Sequence, residues 1–360
     1  MKLAGIILAG GRTRSMGELT KQRADAALPI GACYRAIDFS LTNMVSSGIE
    51  NVAVIAQSAS GSLNDHLSQA QWWGFGRKRG GLHVINPTIT QEHQEWYRGT
   101  ADSIWQNLRV LEKWSEPYVV VASGDGVYKL DFDKVLRQHE KTGADVTVVC
   151  VKQYPGAILS RYGLIDVDGD GRVLRLKEKS ESETEGLISC GIYLLRRDAL
   201  MKLVTDSVEQ GKYNFVKDIL VPMAESKKVY AYVHDGYWKN VAYKDNFYEA
   251  NMDLLKPEIR RQILETEPLI LTKPGDLPPA HYGEKAVVKN CLVGNGTLIE
   301  GEATNSVLFD NVHVGEGSKI TDSVILPDVH VGRNCVLTNC IINSRKEIPD
   351  GTVMSDYGRD

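Results

Sequence analysis

The sequence predicts a Rossmann-like α/β domain with a mostly parallel sheet, followed by a triangular parallel β-helix. Up to about Leu255, short β-branched runs alternate with amphipathic helical stretches. From about Val287, one tetrapeptide pattern recurs every 15 to 17 residues. Five of the 12 prolines fall in the stretch between these two parts. We therefore expect an α/β domain over 1–255, a proline-rich linker of extended segments over 256–285 and the repeat domain over 286–360.

Four apolar runs predict the strands of the first domain. Each has the length and the β-branched content of a strand that is buried on both faces, as parallel strands are: GIILAGG (5–11), NVAVIAQ (51–57), YVVVASGD (118–125) and ADVTVVCV (144–151). Between the first two runs we expect a helix with Asp38 as its N-cap and Gly48 at its end. Alternating strands and helices indicate helices on both faces of the sheet.

Candidate ligand-binding residues follow three of these strands. Open α/β sheets bind ligands beyond the carboxyl ends of their strands, and Gly10, Gly11, Gln57 and Asp125 all fall there. A glycine pair at a strand end presents backbone N–H groups that suit a phosphate. The surrounding residues do not match the Walker A pattern, so the pair alone is weak evidence for a nucleotide.

The repeat in the last part of the chain predicts a β-helix. The four tetrads are NCLV (290–293), NSVL (305–308), DSVI (322–325) and NCII (339–342). A hexapeptide rhythm with three hexads per coil places one set of aliphatic side chains inside and glycines at the corners. The inward set is Val293, Ile299, Val314, Ile320, Val331 and Leu337. Ordinary antiparallel strands would give no reason for this period.

Composition excludes several classes of function. The chain has 42 Lys and Arg against 46 Asp and Glu, a net charge of −4, whereas nucleic-acid binders usually carry a basic excess. No apolar run approaches the ~20 residues of a membrane span. Six cysteines without a CxxC pair predict reduced thiols and a cytoplasmic protein.

Three features look like sites but have simpler interpretations. The stretch 166–171 begins like a calcium loop, yet its twelfth position is Lys177 instead of the bidentate Glu that calcium needs; a hairpin is expected. His313 and His330 occupy equivalent repeat positions and should face solvent, with an acyltransferase histidine as the alternative. The basic run at 77–79 should be a solvated loop, with a site for an anionic effector as the alternative.

Larger motifs resemble those of one enzyme family over nearly the whole chain. They are IILAGGR (6–12), YRAIDFSLTNMVSSGI (34–49), EWYRGTADSIWQN (95–107), SGDGVYKLDF (123–132), RYGLI (161–165), KEKS (177–180), SCGIY (189–193), GYWKNV (236–241) and EANMDLL (249–255). They resemble the ADP-glucose pyrophosphorylases, or glucose-1-phosphate adenylyltransferases. The resemblance implies a nucleotidyltransferase domain joined to a left-handed β-helix. It implies a reaction of ATP with glucose 1-phosphate that gives ADP-glucose and pyrophosphate.

The resemblance also implies roles for individual residues. Gly10 and Gly11 would approach the nucleotide with their backbone, and Asp125 would hold Mg²⁺. The base or ribose would be contacted by Gln57, Gly99 and Thr100. The sugar-phosphate pocket would be lined by Arg161, Gly163, Glu178, Lys179 and Ser189.

Three departures from the family pattern fall on the triphosphate and metal side. Ser15 replaces the catalytic arginine, Asp25 replaces a phosphate-facing lysine, and Asn240 replaces the second metal carboxylate. Each loss of a preorganised charge typically costs about 10²–10³ in rate, although such losses need not add. An amide oxygen is also a weaker ligand for Mg²⁺ than a carboxylate.

These departures leave three hypotheses. The first is a catalytically impaired, GlgD-type regulatory subunit that works in glycogen synthesis through a hetero-oligomer, typically a tetramer, with a catalytic subunit. The second is an active adenylyltransferase in which Arg14 compensates for Ser15. The third is a nucleotidyltransferase or sugar-phosphate sensor of altered substrate. The first hypothesis predicts a homo-oligomer in isolation and binding of a sugar phosphate.

Overall fold

The computed structural model describes residues 2–11, 13–76, 80–88, 96–179 and 185–355. Within these ranges the first part of the chain contains a sheet of nine strands with helices on both faces. The strands of this part, including four short ones in two separate ribbons, are β1 (Leu3–Leu8), β2 (Pro29–Ile30), β3 (Tyr34–Arg35), β4 (Asn51–Ile55), β5 (Gly81–Ile85), β6 (Tyr118–Ser123), β7 (Gly126–Tyr128), β8 (Val146–Val151), β9 (Gly163–Val167), β10 (Val173–Glu178), β11 (Leu187–Arg196), β12 (Val229–Val233) and β13 (Trp238–Asn240).

The central strands are parallel, as predicted. β1 pairs in parallel with β4 and with β6, and β4 pairs in parallel with β5. The long strand β11 is antiparallel to β6, β8 and β9. Because β1, β4 and β6 point the same way, their carboxyl ends meet at one edge of the sheet.

The α-helices of the described residues are α1 (Ala36–Ser46), α2 (Gly61–Leu67), α3 (Thr100–Trp105), α4 (Leu108–Glu112), α5 (Phe132–Thr142), α6 (Arg197–Glu209), α7 (Val221–Ser226), α8 (Lys244–Asp253) and α9 (Pro257–Arg260). Short 3₁₀ segments cover Arg14–Thr20, Asp25–Ala27, Ala70–Trp73 and Leu159–Arg161, and π-helical turns cover Phe215–Leu220 and Arg261–Glu265. None of the helices in the described ranges is long and apolar enough to cross a bilayer.

The start of α1 differs from the prediction. Its N-cap is Arg35, and Asp38 lies in the first turn with its carboxylate accepting a hydrogen bond from the Arg35 backbone N–H at 2.8 Å. The other oxygen of Asp38 lies 2.7 Å from His66 Nε2. The β2–β3 hairpin ends at Arg35, so the helix begins earlier than the apolar spacing indicates. Asp38 therefore lies inside α1, where its buried carboxylate contacts His66 of α2.

The stretch 256–285 is less extended than predicted. Residues 257–265 are helical, and Ile263 is fully buried in the same apolar cluster as Phe247 and Leu254. Strand pairing of the β-helix already begins at His281, which pairs with Leu298. The prolines correctly indicated a region without long helices or strands. One short helix still forms there, because its aliphatic residue Ile263 packs into the neighbouring apolar cluster.

The β-helix is confirmed, and it is left-handed as the resemblance implied. Its strands form three parallel sheets: the first contains His281–Tyr282, Leu298–Ile299, His313–Val314, His330–Val331 and Glu347–Ile348; the second contains Val287–Lys289, Glu302–Thr304, Lys319–Thr321, Val336–Thr338 and Val353–Ser355; the third contains Leu292–Val293, Val307–Leu308, Val324–Ile325 and Ile341–Ile342. Five of the six predicted inward aliphatics are at most 1% exposed, and Val293, in the first coil, is half-buried.

The corners of the β-helix are built differently from the prediction. Left-handed backbone at successive corners is supplied mainly by Asn and Asp, as at Asn305 and Asp322, which tolerate this conformation better than other side chains. Glycines were predicted at the corners, and Gly315 and Gly332 follow the inward residues Val314 and Val331, but neither has positive φ. They are needed for space, because a Cβ on Gly315 would lie 2.6 Å from the Gly332 carbonyl oxygen.

The two simpler interpretations that can be tested are confirmed. Residues 163–178 form the antiparallel β9–β10 hairpin, and the Asp168 carboxylate accepts hydrogen bonds from the backbone N–H groups of Asp170 and Arg172. His313 and His330 lie on the outside of the β-helix, with their Nδ1 atoms 2.9 Å apart. Residues 77–79 lie outside the described residues.

The β-helix packs against the first part of the chain. Phe309 and Leu326 on its surface join Phe247 and Leu254 in one buried apolar cluster. Tyr248 of α8 also donates a hydrogen bond to the Asp322 carbonyl at 2.7 Å. This packing places the two parts in fixed contact.

Candidate functional site

A cavity of about 510 Å³ opens at the carboxyl ends of β1, β4 and β6. Its lining includes most of the residues that the sequence predicted: Gly10, Gly11, Asp25, Gln57, Gly99, Thr100, Asp125, Arg161, Gly163, Glu178, Lys179, Ser189 and Asn240. Ser15 is exposed and is not among the lining residues. The tertiary structure therefore brings together side chains that are up to about 230 positions apart in the sequence.

The glycine pair forms one end of the cavity. A Cβ on Gly10 would lie 3.0 Å from Gln57 Cβ, and a Cβ on Gly11 would lie 3.4 Å from Asp25 Oδ2. Gln57 is held by a hydrogen bond from its Nε2 to the Tyr97 carbonyl at 2.9 Å. At Gly10 and Gly11, the backbone is therefore what faces the cavity.

A second close approach shapes the wall beside the glycine pair. A Cβ on Gly99 would lie 2.4 Å from the Tyr213 carbonyl oxygen, so only glycine fits. The next residue, Thr100, begins α3, and its Oγ1 accepts a hydrogen bond from the Phe215 backbone N–H at 2.9 Å. Sequence reasoning missed this contribution of 213–216, because nothing in the local pattern indicates that the segment returns to the cavity.

Asp125 and Asn240 are adjacent across a small ribbon. In the β7–β13 ribbon, Gly126 is paired with Asn240, and the Val241 N–H donates to the Asp125 carbonyl at 2.9 Å. The Asp125 carboxylate accepts a short hydrogen bond from Ser123 Oγ. Asn240 Oδ1 accepts one from the Ala242 N–H at 2.9 Å. Its amide oxygen is therefore already used to hold the turn.

These residues fit a magnesium ion only weakly. Mg²⁺ is usually bound by one or two carboxylates together with substrate phosphates. Asp125 supplies one carboxylate, and within the described ranges no cluster of three or more His, Cys, Asp or Glu side chains is arranged to hold a metal. A phosphate ligand would have to supply much of the coordination.

The opposite wall carries the predicted sugar-phosphate residues. Arg161 Nη1 lies 2.7 Å from both carboxylate oxygens of Asp245, and its guanidinium stacks 4.3 Å above the Tyr243 ring. This pairing fixes the guanidinium at the edge of the cavity. Asp245 and Tyr243 were not predicted, although both lie beside the WKN motif.

Lys179 is held in a backbone conformation that is uncommon for lysine. Its φ is +51°, and its backbone N–H donates to the Tyr162 carbonyl at 3.0 Å. Outliers of this kind concentrate at functional sites. The Lys179 Nζ lies 4.0 Å from Glu178 Oε1 and the side chain is 58% exposed. Burial raises the pKa of the Glu178 carboxyl, and the Lys179 ammonium partly opposes that rise.

Comparisons with known proteins agree with this architecture. The nucleotidyl transferase family matches residues 4–257, and the GlmU-like C-terminal hexapeptide family matches residues 274–359. A glucose-1-phosphate adenylyltransferase of Halalkalibacterium halodurans is 37% identical over 357 residues, which cover 98% of this chain and 93% of the relative. This chain belongs to the glucose-1-phosphate adenylyltransferase family. Adenylyltransferases of Clostridium perfringens (37% identity, 88% of this chain, 81% of the relative) and Bacillus thuringiensis (35%, 98% and 94%) are also similar.

Against the pattern of this family, Asp25 is the departure with the clearest structural consequence. It is 2% exposed and lies against the glycine loop. The Thr13 backbone N–H lies 3.0 and 3.2 Å from its two oxygens, and Thr13 Oγ1 donates to Oδ2 at 2.8 Å. Asp25 thus places a buried carboxylate against the glycine loop, with both of its oxygens bonded to Thr13.

A second cavity, of about 530 Å³, lies between the nucleotidyltransferase domain and the β-helix. Its cationic lining residues are Lys21, Arg23, Arg35, Lys273, Arg345 and Lys346, and its acidic ones are Glu18, Asp65, Asp310 and Asp328. Burial lowers the pKa of Arg23 to about 10, with smaller contributions from Arg35 and Arg345. Mutual repulsion of cations in a partly desolvated space is relieved when an anion enters.

Proposed function

We propose that this chain is a catalytically impaired, regulatory subunit of glucose-1-phosphate adenylyltransferase that acts in glycogen synthesis with a catalytic subunit. The observation that carries the proposal is the contrast within one cavity. Lys179, Arg161 and Ser189 line the sugar-phosphate wall. The triphosphate end has the buried carboxylate of Asp25 where the family pattern has lysine. Asn240 leaves only the one carboxylate of Asp125 beside it.

The chemistry of the family reaction supports this proposal. The phosphate oxygen of glucose 1-phosphate attacks the α-phosphorus of ATP in line, and pyrophosphate leaves. Such a reaction needs positioning and charge stabilisation more than a covalent group. In this chain Lys179 would neutralise the sugar phosphate, Ser189 would hold a sugar hydroxyl, and Gly99 with Gln57 would position the nucleoside. The negative charge that builds up on the leaving pyrophosphate would meet Asp25.

Magnesium binding follows from the same residues. Bound Mg²⁺ would neutralise charge on the phosphates, and Asp125 would hold it. Asn240 could add only a neutral oxygen, which also accepts the Ala242 N–H, and an amide oxygen supplies no negative charge. We therefore expect Mg²⁺ to bind this chain weakly in the absence of a polyphosphate ligand.

The proposal extends to partners and location. We place the protein in the cytoplasm, as a self-associating chain that forms mixed oligomers, typically tetramers, with a catalytic subunit. An anionic effector is part of the proposal. Among the described residues, the second cavity supplies the cations for it, through Arg23, Arg35 and Arg345.

The decisive experiment compares the purified chain alone with the chain mixed with a catalytic relative. We expect the chain alone to make ADP-glucose far below the ordinary enzyme range of ~1–10³ s⁻¹. In the mixture we expect co-elution in size-exclusion chromatography, and rates or effector responses that differ from those of the relative alone. A chain that reaches the ordinary range alone would support the second hypothesis, an active enzyme that uses Arg14. A chain that binds no glucose 1-phosphate would support the third.

A further inference from the structure

We propose that Asp25 is a built-in anion that occupies the phosphate-binding loop, so that the cavity selects nucleotides by phosphate number: nucleoside monophosphates bind, and triphosphates are excluded. This inference rests on the proposed function for the location of the nucleotide. It goes beyond that function because it assigns selectivity for phosphate number to the hydrogen-bonded pair of Thr13 and Asp25, whereas the proposed function uses only the lack of a cation at position 25.

Asp25 accepts hydrogen bonds from groups of the glycine loop that could otherwise bind a phosphate. A phosphate bound by a glycine-rich loop accepts hydrogen bonds from backbone N–H groups. Here the Thr13 N–H and the Thr13 hydroxyl both point at the Asp25 carboxylate. A phosphate oxygen that uses these donors must first displace the carboxylate.

Asp25 contacts Gly11 through its backbone as well as Thr13 through its side chain. The Asp25 backbone N–H donates to the Gly11 carbonyl at 3.2 Å. The backbone of Asp25 therefore binds Gly11 while its side chain binds Thr13. The chain beyond Thr13 is anchored by Met16, which is 1% exposed and whose N–H donates to the Thr13 carbonyl at 3.1 Å. An anion that binds the Thr13 N–H and hydroxyl must therefore break the bonds between Thr13 and Asp25.

The charge of Asp25 and its location beside the glycine pair determine which phosphates it repels. Charge repulsion acts strongly over a few ångströms in a partly desolvated site. Asp25 belongs to the segment next to the glycine pair, whereas Arg161, Glu178 and Lys179 come from the β9–β10 region on the other wall. Its charge therefore opposes the β- and γ-phosphates more than it opposes a sugar phosphate bound on that wall.

The test is isothermal titration of AMP, ADP, ATP and glucose 1-phosphate into the full-length protein, with EDTA present to remove any contribution of metal. For the unchanged protein we expect affinity to fall from AMP to ADP to ATP, by at least 10-fold overall. Asp25→Asn keeps the size and one acceptor but removes the charge. It should tighten ATP at least 10-fold and change glucose 1-phosphate less than 2-fold.

The matched control is Asp102→Asn. Asp102 is also a fully buried carboxylate that accepts a backbone N–H, from Arg98 at 2.9 Å, but it does not line the cavity. A gain in ATP affinity in this variant as well would mean general loosening and would overturn the proposal. Equal affinity of the unchanged protein for AMP and ATP would overturn it without any variant, so the test does not depend on Asp25→Asn folding.

The two proposals fail in different ways. If the order AMP, ADP, ATP holds but glucose 1-phosphate does not bind, the phosphate selection by Asp25 stands and the proposed function is wrong. If glucose 1-phosphate binds and the chain modifies a catalytic partner, yet ATP binds as tightly as AMP, the proposed function stands and this inference is wrong.

Discussion

The two walls of the main cavity differ in where their polar groups are directed. On the glycine-loop side, the Thr13 N–H and hydroxyl both donate to the Asp25 carboxylate, so these groups are satisfied within the chain. On the β9–β10 side, the ammonium of Lys179 is more than half exposed and lies 4.0 Å from its carboxylate neighbour Glu178. The walls come from separate segments of the chain. One half of a binding site can therefore lose its charge pattern while the other half and the fold stay intact.

The largest expected effect comes from converting all three departures back to the family pattern. The variant Ser15→Arg, Asp25→Lys, Asn240→Asp supplies two cations and the second carboxylate. We expect it to raise the rate of ADP-glucose formation by more than 100-fold, since each such group typically contributes about 10²–10³.

Single changes at these positions serve as the controls for the triple variant. Because groups that act as a unit are non-additive, each single change should raise the maximal rate, measured at saturating ATP, less than 10-fold. The measurement is pyrophosphate release with ATP, glucose 1-phosphate and Mg²⁺. A single variant as fast as the triple one would show that one residue accounts for the whole contrast.

A smaller effect is expected on the wall that keeps its charge. Lys179→Ala removes a cation that would bond the sugar phosphate, and hydrogen bonds to charged groups contribute about 1.5–3 kcal/mol. We therefore expect glucose 1-phosphate to bind about 10- to 100-fold more weakly, as measured by titration calorimetry. The control is Lys152→Ala, an exposed lysine outside the cavity lining. Equal losses in both variants would mean that net charge alone attracts the sugar phosphate.

A pair of glycine variants compares the rigidity of the two walls. A Cβ on Gly99 meets the Tyr213 backbone at 2.4 Å, whereas a Cβ on Gly163 meets the flexible Glu178 carboxylate at 3.1 Å. Gly99→Ala should lower the free energy of unfolding by about 1–3 kcal/mol, as overpacking does, and Gly163→Ala by less than about 1 kcal/mol. Urea unfolding measures both values. The reverse order would contradict the assignment of Gly99 to a rigid wall.

The smallest effect is a pH dependence on the β9–β10 side. Burial raises the pKa of Glu178, so the folded protein favours the neutral carboxyl more than the unfolded chain does. The stability that Glu178 contributes is present below its ordinary pKa and is lost as pH rises through the raised value. Relative to Glu178→Gln, the unchanged protein should lose unfolding free energy as pH rises from 4 towards 7. A constant difference between the two proteins over this range would contradict the prediction.

Sequence periodicity was sufficient where a residue's environment depends on its own element. The strands that carry Ile6, Val54 and Val121 were predicted from β-branched runs, and inward residues such as Ile320 and Leu337 followed from the hexapeptide rhythm. The N-cap of α1 and the helix at 257–265 were missed. Their positions depend on the β2–β3 hairpin and on the burial of Ile263 against α8, which are contacts between distant segments.

The two-part architecture and the identities of the residues at the strand ends follow from local rules of backbone sterics and apolar spacing. The hydrogen-bond partners of those residues depend on how distant segments fold together. The sequence alone suggested that Asp25 is a charge beside a phosphate. In the folded protein its carboxylate accepts a hydrogen bond from the Thr13 N–H and is part of the loop. Asn240 reads as a weakened ligand, yet its oxygen holds the Ala242 N–H. Hydrogen bonds are short-ranged and directional, so the partner of a polar side chain is settled only when distant segments come together.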